Sequence, residues 1–240
     1  MAFITAATSR LLLGDFHLSG YMRKVGAELE IAMLDSTVLT SAAEDVVPGL
    51  KMGKFPLGGL LDSDGAATGQ HRQIFDKIGA TAADAVSWGP QGFTRGNPVI
   101  CVLGQEASYP IGYDVKDIVA WSADLKIDGP IDFGVSLADL AAVTTDTTGT
   151  GVDNAASTSN GGAGFLHVTA YSGFSDVVFK VQHSTDNSSW SDLATFTSVT
   201  GKTSERVTVA AATTVNRYLR FFADVTGSGS CTCQMSFARR

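Results

Sequence analysis

The residues with the widest chemical reach cluster around His183. Ser184, Asp186 and Ser189 follow it inside "HSTDNSSW", so a base, a nucleophile and an orienting acid lie within a few residues. A catalytic triad draws its members from separate segments into one pocket, whereas four such residues in a single turn hydrogen-bond to their own backbone. The spacing therefore predicts turn chemistry, with a hydrolase using His183 as a rival reading. Glu28 with Glu30, and Asp124 with Asp128, fall on shared strand faces where paired carboxylates could hold a cation or do acid/base work. No Asp-x-Asp-x-Asp-Gly loop, no histidine four residues on and no phosphate-cradling glycine loop accompanies them, and "GDFHLSG" and "SNGGAG" open no GxGxxG helix. A solvated strand face is the plainer reading, and neither cofactor nor metal is expected.

Cys101, Cys231 and Cys233 form neither a disulfide framework nor a metal-ligand spacing. Cys231 and Cys233 are two residues apart on a strand, so their side chains point the same way about 6.5 Å apart. They are expected to be buried thiols, as is Cys101.

The elements that must position these residues are strands. The chain has 240 residues, 26 of them glycine, with 44% hydrophobic and 17% charged residues, a composition that reads as strands and turns with much uncharged surface. Residues 1–140 hold 17 Asp and Glu against 10 Lys and Arg, whereas the remaining hundred hold 7 of each, so the whole net charge of -7 sits in the first part. No basic footprint for gripping nucleic acid is present. At the N-terminus the first cation, Arg10, follows an apolar run, the wrong order for a signal peptide, and no window approaches the roughly 20 apolar residues of a membrane span. Synthesis and folding in a cytoplasm are expected.

The predicted fold is mainly β in two parts: residues 1–145 with one helix, a linker at 146–152 and an antiparallel sandwich, jelly-roll or immunoglobulin-like, over 153–240. The stretch 143–164, "VTTDTTGTGVDNAASTSNGGAG", is almost free of large apolar residues and reads as linker or loop. In the first part, Val25, Ala27, Leu29, Ile31 and Met33 alternate with Glu28 and Glu30. Trp121, Ala123, Leu125 and Ile127 alternate with Ser122, Asp124, Lys126 and Asp128, giving long strands with one apolar and one wet face. "DGP" at 128–130 reads as a turn into a returning strand. His71, Ile74, Phe75 and Ile78, with Gly79 as a stop, read as a helix plugging a sheet. In the second part four inward rows are predicted: Val177, Phe179 and Val181; Val207 and Val209; Leu219, Phe221 and Ala223; and Cys231, Cys233, Met235 and Phe237.

One stretch, "LDSTVLTSAAEDVVPGLKMGKFPLGGLLD", carries an Asp-x-Thr segment, then Pro48-Gly49-Leu50, Lys51, Gly53 and Gly58-Gly59. With the helix from Gln70 and the hairpin "WSADLKIDGPIDFGVSL", it resembles the major tail (tail tube) proteins of tailed bacteriophages. "VQHSTDNSSWSDLATF", "ERVTV", "NRYLR" and "SFAR" resemble the outer domain that some of these carry. "VLTSAAED" departs from the family, which more usually has a Gly-containing turn after the Thr.

The resemblance implies a structural virion protein, not an enzyme, made in a host cytoplasm and built into the tail. Its partners would be further copies in stacked six-membered rings, whose hairpins join into one barrel, and tape-measure, terminator and initiator proteins. Double-stranded DNA would pass through the lumen and would be repelled by an acidic wall. Candidates for that wall are Glu28, Glu30, Asp124, Lys126 and Asp128; candidates for the inter-ring loop are Val38, Thr40, Glu44 and Asp45. An outer domain obstructs a sheath, which favours a long non-contractile tail, and could touch cell-surface glycan weakly. Alternatives are a carbohydrate-binding protein using Trp190, Tyr171 or Tyr218, with Trp190 otherwise a partly buried anchor, and a capsid decoration protein.

Overall fold

The computed structural model describes residues 6–38, 43–61, 70–112 and 118–240. In chain order the strands are β1 (Arg10–Leu13), β2 (Phe16–His17), β3 (Met22–Val25), β4 (Glu28–Asp35) and β5 (Val46–Leu60). After helix α1 (Gln70–Phe75) come β6 (Asp84–Gly89), β7 (Pro98–Ser108), β8 (Ile111–Gly112), β9 (Ala120–Ile127) and β10 (Asp132–Val143). The rest are β11 (Thr147–Thr148), β12 (Val152–Asp153), β13 (Gly162–Ser184), β14 (Ser191–Thr195), β15 (Thr203–Val209) and β16 (Tyr218–Arg239). The protein is mainly β, and the strand ladders among the described residues are antiparallel.

Contacts divide the chain into two units: Met1–Gly20, Ala83–Leu103 and Gly129–Arg240 form the first, Tyr21–Ala82 and Gly104–Asp128 the second. The expected seam at 146–152 does not coincide with this division. Val135 and Val143 of β10, before the seam, pair with Phe237 and Cys231 of β16, after it. The stretch 146–152 itself is stitched to β16: Thr147 pairs with Ala223, Val152 with Leu219, and Gly149 N donates to Phe221 O at 2.8 Å. Backbone pairing needs no apolar side chain, so a segment without them can still be a sheet edge.

The first unit is organised by β13 and β16, which pair along nearly their whole lengths. Their register breaks around Ser172–Asp176, where Gly173 and Gly227 adopt φ of +85° and +92°, and a Cβ at Gly173 would lie 2.8 Å from Ser228 O. Glycine is required there, because an L side chain is strained at that φ. The ribbon bends at these glycines, and both halves feed one core: Leu166, Val168, Cys231, Cys233, Met235 and Phe237 from one, Val177, Phe179, Val181, Leu219, Phe221 and Ala223 from the other. The predicted inward rows are thus core, Val207 being half-buried. All three cysteines are buried and free. β15 and β14 flank successive stretches of β13, and β10, β12 and β11 flank β16. β1 pairs with β6, and Leu11, Leu12, Leu13 and Leu18 are buried.

In the second unit β5 is central. Its later residues, Lys54–Leu60, pair with β9, and Leu57–Gly59 with β3. Phe55, Leu57, Trp121, Ala123 and Leu125 alternate into the interior, as predicted for β9. Gly59 is required by this packing, because a Cβ would lie 2.8 Å from the Trp121 indole ring.

Two local expectations are corrected. Gly129 has φ +94°, yet "DGP" does not make a hairpin: β9 pairs with β5, β7 and β8, whereas β10 pairs with β7 and β16. A turn signal specifies a local bend and not which strands pair across it. The helix is shorter than predicted, ending at Phe75 and continuing as turns to Gly79, where φ is +75°. Ile74 is buried but Phe75 and Ile78 are exposed, so it plugs through one residue only, and the side chain of His71 lies outside the described set.

Candidate functional site

The residues first suspected of chemistry remain a turn. Asp186 Oδ1 accepts hydrogen bonds from the Ser188 and Ser189 amides (2.9 and 2.8 Å) and from Ser184 Oγ (2.8 Å). These bonds hold its carboxyl down at about 2, so it stays ionised as a backbone clasp. His183 faces away from it, its Nδ1 accepting from Asn216 N at 3.3 Å.

A second constellation, with no counterpart in the sequence reading, lies inside the first unit. His167 is fully buried; its Nδ1 is 2.7 Å from Gly14 O and its Nε2 2.8 Å from Ser87 Oγ. A carbonyl can only accept, so Nδ1 carries the proton and Nε2 accepts from the serine hydroxyl. Cys101 Sγ lies 3.4 Å from Ser87 Oγ and 3.2 Å from Ser236 Oγ, extending the chain. Burial lowers the His167 imidazole to about 4 and raises the Cys101 thiol to about 11, so both are neutral near pH 7. Serine beside an imidazole has the form of a nucleophile and its base, but no member of this pair is exposed to a substrate. It is a satisfied polar thread through a core. The clue in sequence was its setting: Gly162–Val168 is buried at every residue, and a histidine in such a strand must find partners.

The aromatic rings proposed for sugar stacking are each engaged. Arg220 lies 4.2 Å above the Trp190 ring, which also approaches Gly151; Arg217 lies 5.0 Å above Tyr218; and Tyr171 donates to Val199 O at 3.0 Å.

The surface with an unmet requirement is in the second unit. Ladder register sets Glu28 opposite Lys54 and Lys54 opposite Lys126, with Asp124 opposite Pro56. Glu28, Glu30, Asp124 and Lys126 therefore line one shallow concavity of about 400 Å³, with Lys54 among them. Lys54 Nζ is 3.2 Å from Glu28 Oε2, and its pKa is raised first by that hydrogen bond, then by the charges of Glu28, Asp124 and Glu30. Lys54 was missed because it sits in a strand whose other residues, Lys51 apart, carry no charge. It leaves three carboxylates against two ammonium groups in the concavity. Asp128 is exposed and does not line it.

The opposite face of the same strands carries the interior residues Phe55, Leu57 and Leu125, and along β4 it continues into Leu29 and Ile31, which are 43% and 49% exposed. Beyond a bulge between Ile31 and Met33 the β4–β5 ribbon carries Met33 (59%), Leu34, Val46, Val47 and Leu50 (80%), all exposed. Among the described residues no layer covers either side, so the apolar face expected of β4 is itself exposed. Among the described residues β4 pairs only with β5, and Val46–Gly53 of β5 only with β4, so both edges are open as well. The ribbon's end is nonetheless ordered by side chains: Asp35 Oδ1 accepts from Thr37 N (2.9 Å), Thr37 Oγ1 accepts from Asp45 N (3.0 Å), and Ser36 N donates to Asp45 O (2.8 Å). Of the loop candidates, Val38, Glu44 and Asp45 are exposed, and Thr40 lies outside the described residues.

Among the described residues no group of three or more His, Cys, Asp and Glu is placed to hold a metal, and no helix is long and apolar enough to cross a membrane. No family model matches the chain, and no curated protein matches it. Loose likenesses to solved structures include the following. A subunit in the tail of an empty gene transfer agent particle, refined with C6 symmetry, aligns at TM-score 0.38 and 14% identity over 47% of this chain and 81% of its own. A chain from the virion of a native gene transfer agent aligns at TM-score 0.41 and 13% identity over 54% and 97%. The Dit protein of phage SPP1, described as a hub of the adsorption apparatus in phages infecting Gram-positive hosts, aligns at TM-score 0.43 and 10% identity over 96% and 99%. Overlaps this loose transfer no function.

Proposed function

We propose that the chain is a structural subunit of a bacteriophage-type tail tube, which forms rings and stacks them around a lumen that conducts double-stranded DNA. The observation that carries this reading is the β4–β5 ribbon, apolar on exposed faces and, among the described residues, unpaired on both edges. Exposed edges and apolar rows of this length invite aggregation unless another chain covers them, and closing strands across subunits removes every edge. Fully covering one Leu, Ile or Met side chain contributes about 1.5–3 kcal/mol, so several per subunit suffice to drive association. The concavity around Lys54 supplies the face a DNA duct requires, charged but with no cationic excess to neutralise phosphates. Residues 153–240 are the outer scaffold in this reading, and tape-measure, terminator and initiator proteins are the further partners.

The test is electron microscopy of the purified protein over a range of concentrations, beside the Ile31→Glu, Leu50→Glu double variant. Tubes or stacked rings with an axial hole, lost in the variant while the fold persists, are expected. Compact monomers at every concentration would overturn the reading, and single rings that never stack would assign the chain to a ring other than the tube.

A further inference from the structure

The first unit contains a pocket that neither the assembly surface nor the core accounts for. It has a volume of about 390 Å³, within the range of small-ligand sites, and Arg10 of β1, His17 of β2 and Asp139 of β10 are among its lining residues. Phe93 and Leu140 supply an apolar wall. His17 Nε2 is buried and has no hydrogen-bond partner among the described residues. A buried ring nitrogen without a partner calls for a water or a ligand atom, since leaving it bare costs about 1–3 kcal/mol. Beside it, Arg10 donates from Nη1 to the carbonyls of Ala7 (3.1 Å) and Ser9 (2.9 Å). These bonds fix the guanidinium and leave Nε and Nη2 without an acceptor among the described residues.

We propose that this pocket binds a small oxyanion, a carboxylate or phosphate group, between Arg10 and His17. Two donors on neighbouring strands of one hairpin, an exposed guanidinium held by the Ala7 and Ser9 carbonyls and a half-buried imidazole whose Nε2 is shielded beside an apolar wall, form a pair for one oxyanion. Arg10 and Asp139 are the charged residues of the lining, and Asp139 opposes the anion. Its Oδ1 already accepts from Arg95 N at 2.7 Å, which turns part of its charge away from Arg10. Burial, and secondarily the Arg10 charge, lower the His17 pKa in the empty pocket; an anion between the two residues reverses the second cause, so anion binding and protonation of His17 strengthen each other.

The experiment is a titration of the full chain with sodium sulfate, against sodium chloride at equal ionic strength, followed by the NMR signals of the histidine rings. Sulfate stays ionised throughout, so any pH dependence belongs to the protein. His17 is expected to shift saturably with sulfate and not with chloride, and its pKa to rise by about one unit, a tenfold tighter anion site on the protonated form. Arg10→Gln weakens sulfate about fivefold or more and Asp139→Asn tightens it, on the scale of one charge-assisted bond. Acetate and inorganic phosphate in place of sulfate distinguish a carboxylate from a phosphate ligand by which binds more tightly. A linear, chloride-like response of His17 overturns the proposal. So does an Asp139→Asn chain whose sulfate affinity is unchanged, a variant that removes no core contact and retains the fold if Arg10→Gln does not.

Discussion

The β13–β16 ribbon of the first unit and the β4–β5 ribbon of the second are built alike, as antiparallel strands with apolar residues at alternate positions. The first bends at Gly173 and Gly227 and closes its two halves over Phe179, Phe221 and Met235. The second has a bulge but no described glycine at positive φ, and its apolar residues stay open from Leu29 to Leu50. Alternation therefore specifies a face that wants cover, and glycines placed for a bend decide whether the chain covers it from within. Where they are missing, as in β4–β5, the apolar face is left without cover among the described residues.

This contrast can be broken most directly by truncation. Phe179→Ala in the closed ribbon should lower unfolding free energy by about 3–5 kcal/mol in denaturant titrations. Ile31→Ala in the open ribbon should leave the isolated chain within about 0.5 kcal/mol while weakening self-association measured by sedimentation. A large loss of monomer stability from Ile31→Ala would mean the ribbon is covered within the chain.

Acid sharpens the comparison next, because the buried histidine belongs to the closed unit. Unfolded His167 titrates near 6.5 and the folded residue at about 4, so between these values the unfolded chain binds a proton that the native one refuses. Stability should be full above pH 6.5 and fall through the window to about pH 4, by roughly 3 kcal/mol in total. His167→Gln should flatten that slope in thermal unfolding against pH, and an unchanged slope would place the titration elsewhere.

Gly173→Ala should cost roughly 1–2 kcal/mol through left-handed backbone strain, and more if Ser228 cannot yield. The smallest effect is expected on the charged face of the open unit: Lys54→Gln should not move the unfolding midpoint, but should make any assembly more sensitive to ionic strength.

Period-two contrast made the closed unit legible, as in the rows through Val181, Leu219 and Cys233, because each row alternates strongly and is bounded by turn residues. The same rule set Glu28 with Glu30 on one strand face and Asp124, Lys126 and Asp128 on another, but could not tell that the first four line one concavity and Asp128 does not. What it could not convey was pairing at a distance. Thr147 and Val152 read as linker because a hydrogen-bonded edge leaves no hydrophobic trace, and Asp128–Pro130 read as a hairpin because a turn does not name its partners. His167 was hidden in an unbroken apolar run, where alternation disappears and only the need of its two nitrogens for partners betrays it.

The pairing of β10 with β16 also bears on time. Val135 meets Phe237 about a hundred residues further along the chain. At ribosomal speeds of roughly 5–20 residues per second, β10 waits many seconds for its partner, with its sheet edge available to other nascent chains. Closing so long a loop is entropically slow, so the first unit should fold late and all at once, after β16 has emerged. Expression at low temperature, with fewer nascent chains present together, should therefore raise the soluble yield more than any stabilising substitution in the core.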